Sequence, residues 1–331
     1  MAQSAHVSPL IFHSAILLAA GALTPTSTYA ADPAFLQTSL PAPAPRFSIE
    51  LHGGHLSGTA YEYVYNIPGD GSKVSQLNWQ IDNAAVLAGR VAFTPHDGLS
   101  VRLGGWAVVS SDTVMDDFDW LRGYEGFDTW SHWSHSDDTR LPKAFQLDVS
   151  GALRVYATGP FTFSGLLGYR FTTFKMNSYG GQYIYSDSNG FRNVTGDFPA
   201  DKLSIAYQQW WHTPYLGIAA AYANGPWTVT GELIASPFVV ASDKDHHNLR
   251  NIVFTERFAP SWMIGVTLGA EYALTNSVSV TAKADYETHF NAYGGSTLYD
   301  GDTNAIARYR KPAAGGGLDT LMLTLGLKVT L

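Results

Sequence analysis

Two short stretches hold the residue types needed to activate a water molecule. Residues 115–120 read Met-Asp-Asp-Phe-Asp-Trp, with three carboxylates in four positions. In extended chain Asp117 and Asp119 project to the same side, because side chains repeat with period 2. Two like charges on one face repel, so a plain strand tends to avoid them. Asp116 falls off that face and reads as a solvated neighbour. Further along, "SDKDHH" at 242–247 places Asp245 and His247 two residues apart. An Asp beside a His fixes its tautomer and raises its basicity, which prepares it as a general base. Set against an Asp pair, such a couple can hold and polarise one water for hydrolysis without a covalent intermediate. The bland reading is that acid-rich loops are solvated decoration, and 111–143 carries seven Asp residues in all: 112, 116, 117, 119, 128, 137 and 138. A metal reading draws on His132, His135 and His246 or His247. Their spacing matches no fixed ligand motif, so no metal site is assigned.

The elements that must carry these residues are strands. In "TLMLTLGLKVTL" Leu321, Leu323, Leu325, Leu327, Val329 and Leu331 share one face, and Thr320, Thr324, Lys328 and Thr330 share the other. The same alternation runs through 262–274 and 278–289, where Lys283, Asp285 and Glu287 oppose an apolar face. These segments match the ~9–11 residues of a tilted membrane strand, and apolar-out, polar-in alternation marks a transmembrane barrel. Short turns at 94–98, 157–160, 223–226 and 274–277 alternate with long polar stretches at about 64–75, 111–143, 175–203, 241–259 and 290–317. Four short and five long connections join ten strands. The expected fold is therefore all-β, a ten-stranded antiparallel transmembrane β-barrel with long extracellular loops and both termini in the periplasm. A barrel this narrow is filled by side chains, with Lys283, Asp285 and Glu287 pairing among themselves, and function lives on the outer rim.

Composition sets the limits. The 331 residues include no Cys, which excludes disulfides, thiol chemistry and thiolate zinc sites. The net charge of −8, with 28 acids against 20 bases, shows no basic stripe for nucleic acid. Thirty-two Gly and 13% aromatic residues suit tight turns and aromatic belts. Residues 10–23 form an apolar run too short for a membrane helix, followed by small residues before Ala30. Residues 1–30 thus read as a signal peptide, 31–46 as a Pro-rich N-terminal arm and 47–331 as the barrel.

Several segments in order resemble the omptin family, ten-stranded outer-membrane endoproteases of Gram-negative bacteria. They are "LSGTAYEYVY" at 56–65, "KVSQLNWQIDNAAVLAG" at 73–89, "DFDW" at 117–120, "GGQYIYSDSNGFRNVTGDFP" at 180–199, "PYLG" at 214–217, "SDKDHH" at 242–247 and "STLYD" at 296–300. The resemblance implies that Asp117, Asp119, Asp245 and His247 are catalytic. His247 would be the general base oriented by Asp245, and the Asp pair would position the water. It implies that Glu62 and Asp243 form the base of a P1 pocket for Arg or Lys, with charge-assisted hydrogen bonds selecting the cation. Ser134 takes a supporting place, and His246 takes a variable one. The implied partners are peptides or proteins with basic residues, and lipopolysaccharide, which acts as an activator rather than a cofactor. Three departures stand out. His132 replaces the acid of the family's S1′ subsite, which removes the basis for a basic P1′ preference. On the outer lipid-binding face Tyr169 is kept, but Phe171, Thr173, Trp210 and Ala259 replace the charged members, leaving Lys175, Lys202 or Arg257 as substitutes. Leu331 replaces the terminal aromatic. A non-catalytic adhesin or cation-binding barrel and a diffusion pore are the competing readings. The first predicts that Asp117→Ala and His247→Ala leave its phenotype unchanged.

Overall fold

The computed structural model describes residues 47–96, 98–121 and 129–331; the signal peptide, the Pro-rich arm and Asp128 lie outside them. The strands are β1 (Phe47–Tyr65), β2 (Lys73–His96), β3 (Leu99–Asp119), β4 (His132–Thr158), β5 (Phe161–Tyr179), β6 (Gln182–Asp187) and β7 (Gly190–Asp197). They continue with β8 (Leu203–Asn224), β9 (Trp227–His247), β10 (Ile252–Phe258), β11 (Ser261–Ala273), β12 (Val278–Asp300) and β13 (Ile306–Thr330). All pairings are antiparallel neighbours. β1 pairs with β13 and β3 with β4, so the sheet closes on itself. β10 and β11 each pair with both β9 and β12, and together make one barrel strand. Its break falls at Ala259–Pro260, where the missing proline N–H cannot join the ladder. With the β6–β7 hairpin set aside, ten staves remain, as the alternation predicts.

The membrane face is aliphatic. Leu51, Leu103, Leu147, Leu216, Leu268 and Leu325 are all more than half exposed. This outward belt ends at Val240 on β9, Trp262 on β11, Phe290 on β12 and Leu321 on β13. The strands do not stop there. β4 has 27 residues and β13 has 25, more than twice what the hydrocarbon layer requires. The long polar stretches are therefore mostly strand, not loop. β3 runs through Asp119, β9 through His247, β12 to Asp300, and 175–203 holds the β6–β7 hairpin. Above the membrane both faces of a strand meet water or cleft, so polar residues no longer signal a turn.

Inside, Trp79, Met115, Phe174, Met176, Tyr207 and Trp211 are completely buried and fill the lumen. Trp79 stacks on Tyr207 with centroids 5.3 Å apart. Below this plug the lumenal charges pair across strands rather than with one another. Lys283 binds Glu50, Asp285 accepts from Thr267 Oγ1 at 2.6 Å, and Glu287 binds Arg170, which also reaches Asp148 at 3.0 Å. Facing strands bring opposite charges closer to Lys283 and Glu287 than their own strand neighbours do. The plug separates this polar periplasmic half from the cleft above it.

Candidate active site

Register sets the site. Glu62 on β1 lies opposite Leu77 on β2, Leu77 opposite Asp117 on β3, and Asp117 opposite Ser134 on β4. Residues directly opposite share a face, so Glu62, Asp117 and Ser134 all turn into the barrel along one ladder row. On the other wall Asp245 of β9 lies opposite Tyr207 of β8 and Phe254 of β10. One step lower, Asp243 lies opposite Gln209 and Glu256. All stand above the outward apolar belt, in the part of the barrel that leaves the membrane.

His247 is the last residue of β9. Its Nε2 lies 2.5 Å from Asp245 Oδ2, and Phe254 meets its ring edge-on at 5.6 Å. The buried Asp245 thus holds one nitrogen and leaves Nδ1 toward the cleft. A 3-10 turn over Asn248–Arg250 follows at once and folds Arg250 back, with its NH2 nitrogen 2.5 Å from His247 Nδ1. Across the cleft Asp117 accepts from Ser75 Oγ at 3.3 Å. Burial first, then the charge of Asp119, pushes the Asp117 carboxyl well up, and Asp245 adds to this from the opposite wall. Asp119 is pushed up by burial and held back by Ser75 and by the nearby His132, Arg250 and His247. The two pairs are therefore within electrostatic reach of each other, with Arg250 between them. Asp116 is on the outer face as expected, but it is more than a solvated neighbour. It accepts from Trp133 Nε1 at 3.1 Å and Gln80 Nε2 at 3.1 Å, and contacts His135 at 2.8 Å. His135 is committed there, away from His247. Among the described residues no group of His, Asp and Glu has the arrangement of a metal site.

Below the two pairs is a carboxylate pocket. Glu62 and Asp243 are 2% and 1% exposed. Tyr207 donates to Asp243 Oδ2 at 3.0 Å, and Gln209 Nε2 donates both to Tyr207 Oη and to the Tyr61 carbonyl, which fixes the floor. Burial and the neighbouring Asp245 push Asp243 up to about 8. Burial, Asp245 and Asp243 raise Glu62 well above the carboxylate range. The pocket floor also holds Glu256, 2% exposed, which the sequence reading did not single out. An inward-facing Glu directly across the ladder from Asp243 was the available signal, and it requires the register to be seen.

These raised carboxylates set a stability dependence on pH. At pH below ~4 such groups are protonated in folded and unfolded chain alike. Between that value and about 8, Asp243 keeps its proton only when folded. The unfolded state then binds fewer protons, so stability falls as pH rises through this window. Denaturant unfolding of micelle-embedded protein should show this decline, and Asp243→Asn should flatten it.

A closed antiparallel outer-membrane barrel with an acid-rich cleft at its outer end is the class that this fold and site define. The chain belongs to the omptin family: a model described as the Omptin family matches residues 44–331. It is 32% identical over 287 residues to the outer membrane protease OmpP of Escherichia coli (strain K12), covering 86% of this chain and 90% of that protein. It is 29% identical over 283 residues to the plasminogen activator of Yersinia pestis, covering 85% and 88%. Its fold matches the crystal structure of the outer membrane protease OmpT from Escherichia coli, with a TM-score of 0.83 and 27% identity over 88% of this chain and 99% of that one. The protein is thus an omptin-type protease of the Gram-negative outer membrane.

Proposed function

We propose that this protein cleaves peptides and proteins after basic residues by direct attack of a water held between Asp117/Asp119 and Asp245/His247. The observation that carries this reading is the Asp245–His247 contact at the cleft mouth, with the half-buried Asp pair facing it. Asp245 lies against Nε2, so His247 Nδ1 is the nitrogen that acts as base. A water that takes the place of Arg250 at Nδ1 loses its proton to His247 as its oxygen bonds to the scissile carbonyl carbon. The tetrahedral adduct collapses when that proton passes to the leaving nitrogen and the C–N bond breaks. Asp117 and Asp119 orient the water through its second hydrogen. Glu62 and Asp243 supply the negative pocket that receives the P1 cation, and burial makes each charged hydrogen bond there stronger than it would be in water.

The His132 ring lies tilted against Tyr185 with centroids 4.7 Å apart and contacts Ser131 Oγ at 2.8 Å. With an imidazole there in place of an acid, the pocket beyond the scissile bond carries no selection for a basic P1′ residue. On the outer face Tyr169 contacts the His212 ring at 2.5 Å, with Phe171 tilted against that ring at 5.0 Å. Lipopolysaccharide binding on this face relies on hydroxyl and aromatic contacts, with Lys175, Lys202 and Arg257 as the cations nearby.

The test is a quenched peptide containing Arg, incubated with refolded protein with and without lipopolysaccharide. No cleavage under conditions where OmpP is active would overturn the proposal. Ser75→Ala refines it. Ser75 holds both carboxylates of the Asp pair down. Its loss raises them further, so the acid limb of the pH–rate profile should move to higher pH. The rate on the alkaline side should fall only a few-fold, the worth of one hydrogen bond of about 1 kcal/mol.

A further inference from the structure

We propose that Glu256 is a third specificity-determining acid of the P1 pocket, so that the pocket presents carboxylates on three walls and prefers arginine to lysine. This rests on the reading of Glu62 and Asp243 as the P1 acids, and extends it. β10 is the part of its stave that lies above the break at Ala259–Pro260. Above the break, Glu256 sits directly across from Asp243 on β9 and from Ser296 on β12. Its side chain is as buried as that of Glu62. Among the described residues Glu62 Oε2, Asp243 Oδ1 and Glu256 Oε2 all lack a hydrogen-bond donor. Three buried carboxylate oxygens converging without donors are costly, and among the described residues no lysine or arginine satisfies them. A ligand that satisfies them must bring donors and positive charge.

The chemistry of the two basic side chains decides between them. A guanidinium carries five N–H donors in a flat fork, enough to reach β1, β9 and β10 at once, and it sheds water more readily than an ammonium. An ammonium has three donors at one point and loses more hydration on entry. Burial first, then the charge of Asp243, raises the Glu256 carboxyl well above the usual range. Glu62, Asp245 and the Tyr207 hydroxyl face the same space. A bound guanidinium supplies the positive charge that favours the ionised carboxylates, any proton they held passing to solvent.

The experiment uses full-length refolded barrel with lipopolysaccharide and three quenched peptides differing only at P1: arginine, lysine and uncharged citrulline. Glu256→Gln keeps shape and removes charge; Glu256→Ser is the second variant should the first not fold, folding being checked by circular dichroism. The expected result is a rise of about tenfold in KM for the arginine peptide, the loss of one charge-assisted contact, with kcat within about twofold. The lysine peptide should change less, so the Arg/Lys ratio of kcat/KM falls. An unchanged KM and ratio, with wild type cleaving after arginine, would overturn the third acid and leave the two-acid pocket standing. So would a fall in kcat alone, which would place Glu256 behind Asp245. Wild type that cleaves the citrulline peptide as well as the arginine one would overturn both.

Discussion

His247→Ala is expected to lower kcat for a basic peptide by about 10³, with little change in KM, within the range that one general base contributes. The substitution leaves the barrel intact. His247 ends β9 above the membrane belt and is half-buried at the cleft mouth, not part of the aromatic plug. The neighbouring His246 supplies the control. Alternation along β9 turns Asp243, Asp245 and His247 into the cleft and Lys244 and His246 away from it, so His246→Ala should stay within a few-fold of wild type. Asp245→Asn should resemble His247→Ala more than His246→Ala, because it removes the charge that stabilises the imidazolium formed when water is deprotonated. Steady-state cleavage of a quenched Arg peptide by the three variants, each checked for barrel formation, reads these effects directly. Equal activity in all three would remove the Asp–His pair from the mechanism and favour the non-catalytic, surface-binding reading.

The pattern that made the fold legible also hid parts of the site. Period-2 alternation fixed the staves and their inward faces because one side of each must meet lipid. Leu321 through Leu331 have no other arrangement that removes them from water. Above the belt that constraint lapses, and polar stretches such as 290–317 read as loop although β12 and β13 continue through them. Asp117 and Asp119 were visible because like charges on one strand face are unusual. Glu256 was not, since a lone Glu in "FTERF" becomes informative only once its ladder partner is known to be Asp243. Arg250 was missed for a different reason. Its position depends on a single 3-10 turn after His247, with Asn251 at φ 50° closing it, and no periodic signal spans three residues. The pairing of Lys283 with Glu50, rather than with its own strand neighbours, follows from the closure of β1 onto β13 and β13 onto β12.

The second large effect is on selectivity. Asp243→Asn should lower kcat/KM for P1 arginine by about 10²–10³, since removing one partner of a buried charged contact costs about 2–5 kcal/mol. Cleavage of a neutral-P1 peptide should fall far less, so the substitution narrows the preference rather than stopping the chemistry, unlike His247→Ala. The same change should steady the fold. From the protein alone Asp243 gains little for its charge: Tyr207 donates to one oxygen, and burial with Asp245 nearby holds the carboxyl up at about 8. An amide there can still accept from Tyr207 and no longer resists desolvation, so stability at alkaline pH should rise while arginine cleavage falls. The pH dependence ties the two together. As pH rises through about 8, wild-type Asp243 ionises more readily, the pocket attracts a cation more strongly, and KM for the arginine peptide should fall. The protein's own stability should decline on the way up to that value, between about 4 and 8, and level off above it. Asp243→Asn should weaken both dependences. If it lowered stability and arginine cleavage together, Asp243 would be a scaffold residue rather than a specificity acid. Opposite movements of the two quantities are what a carboxylate kept for its ligand requires.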